Sequence, residues 1–324
     1  MQTSSTLILS TPKIQLFRIV VFNMAVQTRT GVLFATLLSA MFLFSLTQRG
    51  VEGAKILGLN VMSTKSHKIT YEKLIIALAE RGHQVTYVGP IITGKNITNL
   101  KEVQTFDLEQ LEKDMKFPNF FDMKLTPGFS ILSVFMNPFV MFANIQDTLC
   151  RKAFELPIFK ELLNEKFDVI FLTPLFNECL FGYIHMMNTS VVLYNQAGVI
   201  PWFAGDLGTP SPLSFTPNLM LGYSDRMTYI ERIFNFIGSA YYYLTLNFYY
   251  YPKIERIYRD VFDPNLPPVK EIIKNSSIIL ANSNIAFHKP RPLMPDIIEV
   301  GGLHMTPPKT VPKVSSSPYF YCSA

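Results

Sequence analysis

His67 is the residue in this sequence whose type and position best fit acid–base chemistry. It follows an apolar run of strand length, residues 55–61, and opens a segment in which apolar residues recur with helical spacing. The positive end of a helix dipole disfavours the imidazolium, so His67 is expected to be neutral near pH 7. A neutral imidazole accepts a proton from a hydroxyl group, which is the task of a general base. Residue chemistry alone leaves open the more common alternative of a structural histidine.

Cys179 is the second candidate for chemistry, because it lies at a predicted helix start, where the pKa of a thiol is lowered. A buried and unreactive thiol is the favoured interpretation. The chain has three cysteines, which excludes a dense disulfide framework and a Cys-only zinc site. The histidines show no metal-ligand spacing, and neither a G-x-G-x-x-G nor a P-loop pattern follows the first strand. The sequence therefore predicts neither a metal site nor a phosphate-binding loop.

The elements that must position His67 form a β-α-β unit. A strand at 55–61 is followed by a polar loop in which Ser66 is placed to cap a helix over 67–81. Gly82 ends that helix, and a second strand follows at 84–88. Two strands joined by a helix lie parallel in one sheet. Ligands bind at the carboxyl edge of such sheets, and His67 is predicted to lie there.

The rest of the chain repeats this alternation, which predicts an α/β fold with a Rossmann-like parallel sheet. Segments 129–165, 177–187 and 225–262 are predicted to be helical, with breaks at Pro138 and Pro157, and the segments 167–172, 190–194 and 277–281 are predicted strands. Residues 198–222 are predicted to be a long loop, and the chain from Pro290 onward an exit linker. The Tyr-rich segment 234–251 is predicted to be an amphipathic helix, either buried or lying at a membrane surface.

Composition excludes several classes of protein. The 324 residues allow two ordinary domains or one large one, and 48% of them are hydrophobic. Charged residues make up 16%, below the quarter typical of soluble domains, which excludes a disordered chain. The net charge of +5 is spread along the sequence without a Lys/Arg block, so nucleic-acid binding is not expected.

The N-terminal region has the pattern of a secretory signal. The apolar run 30–47 is preceded by Arg29 and followed by small residues, with Met24 as a natural start. A signal anchor that stays in the membrane is the alternative. Three N-x-[ST] sequons, at Asn96, Asn188 and Asn275, agree with the endoplasmic reticulum lumen or the secretory pathway. A polytopic membrane protein is disfavoured, because charged residues interrupt the later apolar runs.

Several segments of the chain resemble animal UDP-glycosyltransferases. Ser66-His67 with 78–86 resembles the opening β-α-β unit of that family, and residues 167–171 resemble the start of its next strand. The stretch 225–232 is similar to its mid-domain helix, and 290–304 to the segment that closes its N-terminal half. The resemblance covers about 54–313. Asn177-Glu178-Cys179 and the Tyr-rich helix are most similar to insect members.

The resemblance implies the N-terminal, acceptor-binding half of a GT-B fold. The expected organisation is an N-terminal extension and signal peptide over 1–53, an acceptor-binding domain over 54–313 and an aberrant tail over 314–324, with the donor-binding domain absent. This half is then expected to bind no cofactor, and a UDP-sugar is the co-substrate of the complete enzyme. A chain without a donor site is expected to be inactive alone.

The resemblance also implies roles and partners. His67 matches the histidine that deprotonates the acceptor hydroxyl in an inverting transfer of a hexosyl group. The aspartate that orients this histidine is matched by Thr173, and Glu178 is the expected substitute carboxylate. The expected partner is a small lipophilic acceptor; membrane association and a homo- or hetero-oligomer are left open. The alternative function is a catalytically dead lipophile-binding or regulatory partner of full-length relatives.

Overall fold

A computed structural model describes residues 53–107, 138–218, 221–286 and 291–307, together with Thr36 and Ser39. Contacts divide the chain into a first unit, residues 1–52, and a second unit, residues 53–324. Thr36 and Ser39 are helical and are the described part of the first unit. Apart from them, the predicted signal at 30–47 lies outside the described residues, as does the predicted tail at 314–324.

In the described part of the second unit, seven strands form one parallel sheet in the order β3-β2-β1-β4-β5-β6-β7. This confirms the predicted α/β class with a Rossmann-like sheet. Parallel neighbours need crossover connections, which the helices supply. The strands are Lys55–Leu59 (β1), Gln84–Gly89 (β2), Leu100–Gln104 (β3), Val169–Leu172 (β4), Ser190–Asn195 (β5), Ile278–Ala281 (β6) and Ile297–Glu299 (β7).

The described helices connect and cover these strands. A π-helix, Leu246–Tyr250, joins α6 to α7 and keeps the predicted helical stretch continuous. The α-helices are Lys65–Glu80 (α1), Pro138–Glu155 (α2), Pro157–Leu163 (α3), Leu180–Met187 (α4), Pro201–Asp206 (α5), Tyr229–Thr245 (α6), Tyr251–Val261 (α7) and Val269–Lys274 (α8).

Three local predictions from the sequence were wrong, and one strand was missed. Thr64, rather than Ser66, is the N-cap of α1, because its Oγ1 accepts the His67 N–H at 3.5 Å. The segment predicted as an exit linker contains β7, and the predicted long loop contains α5. β3 was not predicted, because an edge strand with a largely exposed, charged sequence lacks the apolar run used to find strands.

Apolar side chains from both faces of the sheet form two cores. On one face, α1 packs Tyr71, Ile75 and Ala79 against residues of β2, β4 and β5. The other face carries the larger cluster, to which α2, α4, α7 and α8 contribute. Side chains alternate along β1, so that Ile56 belongs to the first core and Leu57 to the second. Burial on both faces explains why the strands are apolar runs instead of alternating patterns.

Candidate functional site

His67 lies in the first helical turns of α1, on the face that packs against the sheet. One turn further along this face is Tyr71, whose OH donates to the Phe171 carbonyl oxygen at 3.0 Å. In a right-handed β-α-β crossover the helix runs opposite to the strands. His67 is therefore one turn, about 5.4 Å, closer to the carboxyl edge than Tyr71. α1 follows β1 after a short loop, so its first turn lies near the carboxyl edge of the sheet, the edge that the sequence predicts.

Thr173 is the first residue after β4 and lies two positions beyond Phe171, on the same side of the strand. Thr173 is fully buried, and its backbone N–H donates to the Leu59 carbonyl at 3.3 Å. Its Oγ1 has no hydrogen-bond partner among the described residues. The residue that the resemblance matches to the orienting aspartate is thus a buried hydroxyl group instead of a carboxylate.

Burial lowers the pKa of His67 below its ordinary value. Its imidazole is therefore neutral near pH 7, as a general base requires. The sequence predicts this neutrality from the helix dipole, whereas desolvation of the ring is the cause that the structure provides. His83, at the other end of α1, has a structural role, because its Nδ1 accepts the Ala54 N–H at 3.0 Å.

The side chain of Asn177 holds the loop that precedes His67 through hydrogen bonds. Its Nδ2 donates to the Asn60 Oδ1 at 3.3 Å and to the Met62 carbonyl at 2.9 Å. Its Oδ1 accepts the Met62 N–H at 2.6 Å. Asn177 thus fixes residues 60–62, just before the cap of α1. The sequence indicates roles for the neighbouring Glu178 and Cys179 but none for Asn177, because an amide that bonds between two loops leaves no periodic signal.

Glu178 is completely buried, and its carboxylate faces α2 and the π-helix. Its Oε2 accepts hydrogen bonds from Gln146 Nε2 at 2.9 Å and from the Tyr250 OH at 2.6 Å. Burial raises the pKa of Glu178 to about 7. The hydrogen bonds described for Glu178 do not include one to His67. Its role as an orienting carboxylate stays a prediction.

Cys179 is bonded to Cys150 in a disulfide across 29 residues of sequence. The sequence-based interpretation of an unreactive free thiol was therefore wrong, since the sulfur is oxidised. Cys150 and Gln146 lie one turn apart on α2. The disulfide and the bond from Gln146 to Glu178 thus join the same part of α2 to residues 178–179.

An apolar cavity of about 330 Å³ opens between α2, α5, α6 and the loop 211–218. α5 follows β5, and α2 runs toward the start of β4, so both place residues at the carboxyl edge where His67 lies. The apolar wall of the cavity includes Phe139, Trp202, Phe236, Tyr242, Tyr243 and Leu246. A larger depression of about 750 Å³ is lined by charged, proline and phenylalanine residues in and after α7 and includes none of these.

The loop 211–218, which forms one wall of the apolar cavity, is attached to α6 by the side chain of Asn235, which is fully buried. Its Nδ2 donates to the carbonyls of Leu213 and Thr216, at 2.8 and 3.0 Å. Its Oδ1 accepts the Asn218 N–H at 2.7 Å. A single amide therefore satisfies three backbone groups of a loop that has little regular structure.

The outer surface of α6 is apolar and exposed, and its buried residues form a narrow seam of Asn235, Gly238 and Tyr242. Exposed positions include Ile230 at 60%, Phe236 at 61% and Tyr243 at 60%. The predicted amphipathic helix is thus mostly outside the core, and membrane association stays a prediction. Among the described residues, no helix combines the length and apolarity that crossing a bilayer demands.

Residues 54–318 match the family model described as UDP-glucoronosyl and UDP-glucosyl transferase. The chain belongs to this family. A UDP-glucosyltransferase 2 from Dactylopius coccus is 26% identical over 272 residues, which are 83% of this chain and 51% of that relative. UDP-glucuronosyltransferase 1A7 from Homo sapiens is 26% identical over 257 residues, which are 76% of this chain and 47% of that relative.

Other members and solved structures extend the comparison. A 2-hydroxyacylsphingosine 1-beta-galactosyltransferase from Rattus norvegicus is 25% identical over 80% of this chain and 47% of its own length. The calicheamicin glycosyltransferase CalG4 matches with a TM-score of 0.41 at 12% identity, covering 77% of this chain and 51% of that one. The chain spans about half the length of the curated relatives that it matches.

Proposed function

We propose that this chain provides the acceptor side of a glycosyl transfer from a UDP-sugar to the hydroxyl group of a small lipophilic compound. The observation that carries the proposal is a neutral, half-buried His67 at the same sheet edge as an apolar cavity. Cavities of this size and lining suit small ligands that are mostly apolar. Family membership supports the reaction class, with a UDP-sugar as the proposed donor.

In the proposed reaction, His67 accepts the proton of the acceptor hydroxyl group. The oxygen then attacks C1 of the sugar while the bond from C1 to the β-phosphate oxygen breaks. UDP leaves with that electron pair, and the configuration at C1 inverts. The proton on His67 is afterwards released to solvent. The fastening of residues 60–62 by Asn177 supports this role, because a general base must hold its position within hydrogen-bond reach of the substrate.

Thr173 favours a second candidate function, a lipophile-binding or regulatory partner with weak or no catalysis. A threonine hydroxyl group can hydrogen-bond an imidazole but carries no charge to stabilise the imidazolium that forms in the reaction. Glu178, the other carboxylate considered for this role, has its described hydrogen bonds with Gln146 and Tyr250.

A secretory location is proposed together with this function. The Cys150–Cys179 disulfide supports it, because such bonds persist in oxidising compartments such as the endoplasmic reticulum lumen. Asn96, Asn188 and Asn275 are all exposed, as N-glycosylation requires. Mass spectrometry of the secreted chain before and after glycosidase treatment would test all three sites.

The transfer assay uses a fusion, because the matched region is about half of each relative. Joining this chain to the remaining half of the Dactylopius coccus relative should give a product with UDP-glucose and a phenolic acceptor. His67→Ala should lower the rate at least about 100-fold without weakening acceptor binding. His185→Ala is the matched control, because His185 is exposed. An unchanged rate in His67→Ala contradicts the catalytic role, and binding without transfer favours the second function.

A further inference from the structure

The first turn of α1, which carries His67, is attached to the sheet by a charged side chain. The buried residues of α1 recur at helical spacing as Lys68, Tyr71, Ile75 and Ala79, so a lysine occupies the first position of an otherwise apolar seam. Lysine is almost never buried unless it is paired. Residues 65–67 of the same turn are exposed or half-buried. Lys68 is therefore the buried residue of the turn that contains the proposed general base.

The partner of Lys68 is Glu102 on the edge strand β3. The distance from Lys68 Nζ to Glu102 Oε1 is 3.2 Å, and the two side chains are 5% and 9% exposed. The Lys68 ammonium group also lies 4.2 Å from the centroid of the Tyr87 ring on β2, which is within the range of a cation–π contact. Contacts with two neighbouring strands therefore fix the position of the ammonium group.

The carboxylate of Glu102 is fixed in its turn by the loop that follows β2. The backbone N–H of Thr93 donates to Oε1 at 3.0 Å and to Oε2 at 2.9 Å, and the Thr93 hydroxyl group donates to Oε2. Hydrogen bonds to an ionised acceptor are the stronger ones. Since both of its oxygens are bound, the carboxylate does not follow the lysine when the helix shifts.

A buried ion pair specifies geometry more than it stabilises the fold. Two buried charges lose their hydration, and a well-packed apolar pair of similar volume is often as stable. An ion pair also has a preferred distance and direction, which an apolar contact lacks. His67 directly precedes Lys68, and the hydrogen bond from the His67 N–H to the Thr64 cap is long, at 3.5 Å. The ion pair is thus the buried contact that resists movement of this turn.

We propose that Lys68 is a positioning residue for His67. Its ion pair with Glu102 holds the first turn of α1 in one place and thereby keeps the imidazole within reach of the acceptor hydroxyl group. The inference rests on the proposed function, in which His67 is the general base. It goes further by naming the contact that sets the position of that base.

The test uses a double variant, Lys68→Met with Glu102→Gln, which removes both charges together. Methionine fills the space of the lysine against Tyr87, and the glutamine oxygen still accepts from Thr93. Lys68→Met alone is avoided, because it leaves a buried carboxylate unpaired and destabilises the chain. Glu102→Asp is the second variant. It keeps both charges and draws the carboxylate back by one methylene, so it tests geometry even if the double variant does not fold.

Lys55→Met is the matched control. Lys55 also pairs with a glutamate, Glu165, at 2.7 Å, and its ammonium group lies 5.1 Å from the centroid of the Phe167 ring. This pair lies at the start of β1, whereas His67 follows the end of that strand. Loss of a lysine from such a pair should therefore leave His67 in place.

Two measurements read the position of His67. In the fusion with the Dactylopius coccus relative, the double variant should lower kcat about 10- to 100-fold and change the KM for the acceptor by less than about twofold, because the base is displaced and the acceptor site is kept. Glu102→Asp should lower kcat by a smaller factor. In the 324-residue chain, the NMR signal of the His67 ring should shift in both variants and stay unchanged in Lys55→Met.

An unchanged kcat and an unchanged His67 signal in folded double variant and in Glu102→Asp would overturn the inference and leave the proposed function intact. An equal loss of kcat in Lys55→Met would also overturn it, because the loss would then reflect general destabilisation. If His67→Ala keeps the full rate, the proposed function fails. The His67 signal then decides the inference by itself, since a shift supports the positioning role of Lys68 and its absence contradicts that role.

Discussion

The two parts of the candidate site are built in different ways. The region around His67 is held on both sides, by the Thr64 cap and α1 on one side and by Asn177 on the other. The cavity has a wall of irregular loop that is attached to α6 by Asn235, and α6 itself exposes most of its surface. A proton acceptor needs one fixed position, whereas a binding cavity for varied lipophiles tolerates movement of its wall. This difference predicts that a substitution in one region leaves the properties of the other region unchanged.

Removal of the disulfide should have the largest effect. Cys150 and Cys179 join α2, which contributes to the cavity, to the Asn177–Cys179 stretch beside the His67 loop. Replacing both with alanine should lower the free energy of unfolding by about 3.5 kcal/mol, because a loop of this length is no longer closed in the unfolded chain. Urea unfolding monitored by circular dichroism measures it. Cys322→Ala is the control, and a loss as large in the control would contradict the prediction.

Glu178 should make stability depend on pH. Its pKa is raised from 4.5 to about 7 in the folded chain, so the folded state retains a proton that the unfolded state releases. The contribution of Glu178 to the stability of the folded state is therefore fully present below about pH 4.5 and falls as the pH rises toward 7, by about 3 kcal/mol. Glu178→Gln should flatten this slope in urea titrations between pH 5 and 8. Exposed Glu161→Gln should keep it, and a slope unchanged by Glu178→Gln would show that another group is responsible.

Substitutions of two buried asparagines test whether the His67 region and the cavity can be altered independently. Asn235→Leu removes three hydrogen bonds to the backbone of the cavity wall, so we expect about 2 kcal/mol weaker binding of a two-ring phenol such as 4-benzylphenol, with an unchanged His67 proton resonance. Asn177→Leu should alter the His67 resonance and leave binding unchanged. Calorimetry and NMR provide the two measurements. If both variants changed both readouts, the two regions would be one coupled unit.

The smallest effect is expected at Thr173. Thr173→Asp places a carboxylate at the position that the resemblance matches to the orienting aspartate, which should raise the pKa of His67 by stabilising its imidazolium, an effect of about 1 kcal/mol. Thr173→Val, which has the same shape without the hydroxyl group, is the control and should not raise it. NMR titration of the histidine signals measures the change. No response to Thr173→Asp would show that a side chain at this position does not act on His67.

Much of the fold was predictable from local patterns. The apolar runs of β1, β2, β4, β5 and β6 and the helical spacing of α1 were visible, because burial on both faces demands these patterns. The position of His67 at the carboxyl edge follows from the order strand–helix–strand alone. β3 and β7 were not predicted, since short edge strands obtain their hydrogen bonds from a neighbour and not from their own sequence.

The sequence by itself determined the α/β class, the general-base candidate His67 and the family, because each depends on residues that are close along the chain. Only the tertiary structure decided which side chains meet. In the folded chain Cys179 forms a disulfide with Cys150, and Glu178 accepts hydrogen bonds from Gln146 and Tyr250. The cavity wall is hydrogen-bonded to Asn235. These contacts join residues separated by 17 to 72 positions, so no local pattern reports them, and the buried polar groups among them are stable because they are hydrogen-bonded.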